Sequence, residues 1–200
     1  MSSAFDPNTQ RISTTAKIVT ALERISEAFR VLLWNQSKAY GLSPLQVQVL
    51  IFLHYHTVDK CTVSYLAHEF NMAKPTISDT VKILEGKALI TKDPSPVDTR
   101  SFVIRLTAKG EQLAAQVSGF SKPVQKPLDQ LTSEQREQLL SSLLAVIRHL
   151  NAAGIITVQR MCFNCAHYRK HPNGGHYCNL LQKQLAPSEL RIDCEEHQAA

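Results

Sequence analysis

Between Ser64 and Thr107 the hydrophobic period changes twice in about forty residues, and few folds accommodate that order. Ser64 can cap a short helix running to Phe70, and Asn71-Met72 suits a tight turn with a left-handed residue. A second helix is predicted over Lys74 to Lys87. Leu89–Lys92 and Ser101–Leu106 alternate like strands, on either side of a turn-rich tip, Asp93-Pro94-Ser95-Pro96-Val97-Asp98. Thr62-Val63 reads as a brief strand ahead of them. Leu66, Ala67 and Phe70 on the first helix would pack against Ile77, Val81 and Leu84 on the second. A helix, a turn, a helix and a hairpin in this order make a winged helix-turn-helix, mainly α with a small β-hairpin wing, about 62–107.

The outward positions carry the chemistry. Lys74, Thr76, Ser78 and Lys82 on the second helix are small polar or basic groups able to reach base edges and phosphates. Asp79 beside them reads as a local electrostatic or capping partner. The hairpin brings Lys92, Asp98, Arg100 and Arg105, and phosphates reward such clustering of cations. A formal net charge of +5 agrees with a polyanionic partner without requiring one. The competing reading is a winged domain used only for protein contact, with Lys74 and Lys82 as ordinary solvated side chains.

Long helices flank this core. From Ser13 to Tyr40, Ile18, Leu22, Ile25, Phe29 and Leu32 form an apolar stripe, widened by Leu33 and Trp34; Gly41 ends it. Ser43, Pro44 and Gln46 spell a capping box with proline at the first helical position, and Leu42 with Val47 a hydrophobic staple. That helix is expected to run to His54. Thr107 opens a further helix, interrupted by Pro123 and Pro127. Thr132 and Gln135 open the last one, striped by Leu139, Leu143, Val146, Ile147 and Leu150. The winged core is too small to bury both long stripes, so helices at roughly 12–38 and 112–153 are expected to build a homodimer.

The segment HEFNMAKPTISDTVKILEGKALITKDPSPVDTRSFVIRLTAKG, residues 68–110, resembles the MarR family of transcription regulators in its recognition helix, wing and wing exit. Asp98-Thr99-Arg100 matches that family's D-x-R, and Leu106-Thr107 through Gly110 its L-T-x-x-G. With the flanking helices the resemblance covers about residues 12–153. It implies a dimer on double-stranded DNA with Arg100 in a minor groove, oriented by Asp98, and a possible small-molecule effector. Two positions depart from the pattern. Ala73 replaces the polar cap of the recognition helix, and Ala88 the glycine that follows it, where a left-handed backbone would be mildly strained.

After about residue 155 the composition changes. Four of the five cysteines lie in the last 39 residues, spaced Cys162-x2-Cys165-x12-Cys178-x15-Cys194. Soft thiolates in this number suit zinc first, an iron–sulfur cluster second and a metal-free redox pair third. His197 is the best substitute ligand, while His167, His171 and His176 read as surface side chains. Phe163, Tyr168 and Tyr177 supply a small shell, and metal binding would supply the folding energy such a module lacks. Cys61, far from the others, reads as a small buried hydrophobe.

Three regions follow: a flexible 1–11, a winged-helix and dimerisation domain at 12–155, and a cysteine-rich metal-binding module at 156–200. No apolar run approaches the roughly 18 residues of a membrane span, and Met1–Gln10 lacks a leader pattern, so a cytoplasmic protein is expected. An enzymatic role is not expected, because no nucleophile, base and orienting group can be read together. The alternatives are a thiol or metal redox protein, or a metal-dependent interaction module with the winged domain as its platform.

Overall fold

A computed structural model describes residues 3–94, 102–157, 160–171 and 174–200. Its centre is α3 (Pro44–Tyr55), a helix apolar on nearly every side, with Val47, Val49, Leu50, Phe52 and Leu53 buried. Ser43 and Gln46 close the expected capping box reciprocally, at 3.2 and 3.0 Å. Around α3 pack α4 (Val63–Glu69), α5 (Lys74–Gly86), a hairpin of β1 (Ile90–Pro94) and β2 (Phe102–Leu106), and α6 (Ala108–Val117). Leu66, Ala67, Ile77, Val81 and Leu84 meet in one cluster, with Phe70 packed at its margin. β1 and β2 are antiparallel, Ile90 opposite Leu106 and Pro94 opposite Phe102.

Thr62-Val63 is not a strand. The Thr62 side chain accepts a hydrogen bond from the Tyr65 amide and caps α4 two residues earlier than Ser64 would. The strand signal survives as a single bond, Ile104 N–H to the Cys61 carbonyl at 2.8 Å. The N-terminal stretch also holds more order than its polarity suggests: Asp6 caps α1 (Pro7–Ile12), and Thr20 Oγ1 donates to the Ala4 carbonyl at 3.1 Å.

α2 (Thr14–Ala39) carries its apolar stripe largely uncovered. Ile18, Ile25 and Trp34 are 54%, 48% and 58% exposed. The helix opened by Thr107 breaks at a 3-10 turn over Ser118–Ser121. Pro123 lies in the first turn of the next helix, α7 (Lys122–Leu128), and Pro127 inside it. α8 (Ser133–Ala152) starts on the expected Thr132–Gln135 capping box. Leu144, with Leu140 and Ile147 beside it, packs on the C-terminal module through Met161, Leu185 and Leu190, while Leu139 and Val146 stay exposed. That module adds a three-stranded antiparallel sheet, β3 (Tyr168–Lys170), β4 (His176–Cys178) and β5 (Lys183–Leu185), which its composition does not announce.

Two small residues fix the joint between α5, the wing and α6. Ala88 has φ of +55°, the left-handed conformation expected there. It closes a Schellman turn in which the Leu89 amide donates to the Leu84 carbonyl and the Ala88 amide to Glu85. Gly110 lies against the Leu89 carbonyl, where an added Cβ would stand 1.9 Å from that oxygen. The glycine of L-T-x-x-G is thus a close-approach residue, with Thr107 Oγ1 donating to the Ala88 carbonyl beside it.

Candidate functional site

α5 turns Ile77, Val81 and Leu84 fully inward, and that fixes what it shows outward. Lys74, Thr76, Ser78, Asp79 and Lys82 are all exposed. Ala73 occupies the N-cap without a side-chain hydrogen bond, as its lack of a polar group dictates. Asp79 forms no ion pair among the described residues, so its reading as a local partner is not supported. On the hairpin, Lys92 Nζ lies 2.6 Å from Glu85 Oε2 and 5.1 Å from the centre of the Phe102 ring, tying the wing to the end of α5. Arg105 Nε donates to Asp93 Oδ2 at 2.8 Å across the hairpin. Both cations are therefore held by acids of the winged domain, Glu85 on α5 and Asp93 on the hairpin, in partly exposed pairs weak enough to exchange for phosphate. Asp98 and Arg100 lie outside the described residues.

The C-terminal module gathers its four sulfurs around one cavity lined by Cys162, Cys165, Cys178, Cys194 and His167. Cys162 and Cys165 flank a 3-10 turn over Cys162–Asn164, with the Cys165 amide donating to the Cys162 carbonyl. Cys178 ends β4 opposite Tyr168. Cys194 is delivered by a bridge between Arg160 and Asp193, its amide donating to the Arg160 carbonyl at 3.0 Å. The Arg191 amide donates to Cys162 Sγ at 3.3 Å, and Arg191 Nη1 to Cys194 Sγ at 3.6 Å. Burial, then the other three thiols, pushes the Cys162 thiol above its ordinary range. Among the described residues no three His, Cys, Asp or Glu side chains stand close enough to hold a metal ion as they are.

The histidines sort differently from their sequence reading. His197 Nε2 contacts the Asn164 carbonyl at 3.1 Å and does not line the cavity. His167 does line it, and its Nε2 is buried with no hydrogen-bond partner among the described residues. His176 is half-buried against the Tyr168 hydroxyl at 2.7 Å, so neither it nor His167 is a plain surface side chain; His171 is exposed. Cys61 is 2% exposed, and burial raises its thiol pKa to about 11, which agrees with an inert packing role. Arg160, absent from the sequence reading, is the most elaborately bonded side chain of the module. An arginine two residues before a cysteine pair gives no sequence signal of that.

Residues 40–101 match the family model described as MarR family. The fold agrees beyond it. The chain is similar to the MepR–DNA complex of Staphylococcus aureus, at 27% identity and a TM-score of 0.57, over 66% of this chain and 97% of that one. It is similar to S. aureus MepR in its DNA-binding conformation, at 25% identity and a TM-score of 0.59, over 66% and 98%. A MarR transcriptional regulator from Methanosarcina mazei Go1 shares the fold at 19% identity and a TM-score of 0.57, over 69% and 97%. These relatives are spanned almost whole, so about a third of this chain lies outside what they share.

Proposed function

We propose that this chain is a DNA-binding transcription regulator that works as a homodimer, with α5 in the major groove and the hairpin in a minor groove. The observation that carries this is the outward face of α5: five exposed polar residues, two of them lysines, on a helix whose other face is wholly buried. Its sequence and fold kinship with MarR regulators supports it. The uncovered stripes of α2 and α8 support the dimer, because a second copy would remove them from water.

Titration of duplex DNA at several salt concentrations tests it. Lys74→Ala should weaken binding uniformly across sequences and flatten the salt slope by about one. Arg100→Ala should weaken it without unfolding the protein. Salt-independent binding, or an unchanged affinity and slope in both variants, would refute the assignment.

The tail extends this reading to a metal-binding module. Its four cysteines are the ligands, for zinc first and an iron–sulfur cluster as the alternative. Four soft donors around one cavity, N–H groups aimed at two of the sulfurs and the orphaned His167 Nε2 support it. Cysteine turns on one side-chain torsion, which lets each sulfur reorient toward an ion. Protein purified without oxygen should carry zinc and be colourless, or absorb near 400 nm if it holds a cluster. Cys162→Ser or Cys194→Ser should abolish either, and unchanged metal content in both variants would remove the site.

A further inference from the structure

We infer that Arg160 carries the state of the cysteine site to the helix-turn-helix, so that metal occupancy sets how tightly the protein holds DNA. The inference rests on the tail being a metal module. Arg160 lies two residues before Cys162, and its main partner Asp193 one residue before Cys194. Its Nε and Nη2 donate to the two Asp193 oxygens at 2.6 and 2.8 Å. The same guanidinium reaches into the winged domain. Nη1 donates to Glu69 Oε2 at 2.6 Å and to the Tyr65 hydroxyl at 2.9 Å, and Nη2 to Glu69 Oε1 at 3.2 Å. His56, at the end of α3, places Nε2 2.9 Å from Asp193 Oδ2 and stacks on Phe52 at 3.8 Å. The guanidinium carbon lies 5.6 and 5.8 Å from the Phe52 and Tyr65 ring centres.

Arg160 is 7% exposed, so its charge depends on these partners remaining in place. Two further contacts bind the same surfaces: Thr157 Oγ1 donates to the His68 carbonyl at 2.8 Å, and Lys60 Nζ to the Glu195 carbonyl at 3.4 Å. The opposite side of the module packs on α8 through Met161 and Leu144. The tail is therefore a strut between α4, the first helix of the helix-turn-helix, and α8, a dimer-forming segment. Only a folded tail holds Asp193 beside Arg160, because residues some thirty apart in sequence must be brought together. Its own share of the apolar cluster is three buried residues, Met161, Leu185 and Leu190, against Leu144 of α8, too little to keep it folded without a cross-link. Losing the metal then opens the clamp and frees the helix-turn-helix relative to α8. Two recognition helices must be held at a set half-site spacing, so the clamped form is pre-organised and binds more tightly.

The test uses the full chain. Zinc content is measured, zinc is removed with a chelator under reducing conditions and restored as a zinc salt, and duplex DNA is titrated with each form at one salt concentration. A protein that absorbs near 400 nm is treated the same way with iron and sulfide. The metal-loaded wild type should bind about tenfold more tightly than the metal-free form. Arg160→Gln should keep its metal and lose the difference to within about twofold, with the affinity of the metal-free wild type. Glu69→Gln, on the far side of the clamp from the cysteines, should do the same and carries the test if Arg160→Gln misfolds. A wild type that binds no metal overturns the metal reading and this inference together. Bound metal with equal DNA affinities overturns the coupling alone. Variants that keep the full tenfold response overturn the route through Arg160.

Discussion

The winged body and the cysteine tail solve the same problem with different means. The body buries a cluster of seventeen residues among those described, centred on a helix that is apolar nearly all round. The tail has three strands of three residues, three buried apolar side chains, four thiols about one cavity and a single guanidinium with six polar contacts among the described residues. One is held by area removed from water, which is spread over many contacts and forgiving of any single loss. The other is held by a few directional bonds, each needing its partner. The difference teaches where sensitivity to surroundings should lie: under the metal reading proposed above, chelation or oxidation should dismantle the tail while leaving the body folded.

Gly110→Ala attacks the body at its least forgiving point. The new Cβ would meet a backbone carbonyl, which cannot swing aside, so α6 must move off the start of the wing. A loss of about 3 kcal/mol or more is expected, read as a lower thermal midpoint with weakened DNA binding. Metal content should persist, because the tail touches neither Gly110 nor Leu89 in its packing cluster. Loss of metal in a folded Gly110→Ala protein would show that the two regions are less separable than this contrast holds.

Much of the body is legible in the sequence because local signals and burial agree there. Ser43-Pro44-Gln46 and Thr132–Gln135 form the capping boxes their spacing predicts, and Ile77, Val81 and Leu84 turn inward as their period requires. Thr62 shows the limit. Two β-branched residues look like a strand, yet the Thr62 hydroxyl, two places before Ser64, caps a helix instead. The tail is legible as a spaced set of cysteines but not as structure. Its strands are too short to show alternation. The bonds of Arg160 span up to 104 residues, and nothing in the chain near either end signals them. His167 and His197 could not be separated by spacing, since each stands two or three residues from a cysteine and only the fold decides which faces the cavity.

Ala88→Gly sharpens the same contrast from its mild end. A left-handed alanine costs about 1–2 kcal/mol, and glycine gives back roughly half of that gain as lost chain entropy. The variant should therefore be more stable by about 0.5–1 kcal/mol, seen as a small rise in the denaturant midpoint at constant slope. A fall in stability would mean that the alanine methyl supplies packing the Schellman turn does not reveal. Metal content should not change.

The proposed division into a self-sufficient body and a metal-dependent strut is tested most directly by hydrogen exchange on the full chain, before and after chelation. Removing the metal should strip protection from residues 160–200 and loosen α4 around Tyr65 and Glu69, while α3, α5 and α6 keep their slow amides. Loss of protection throughout the body, or unchanged protection in the tail, would contradict it.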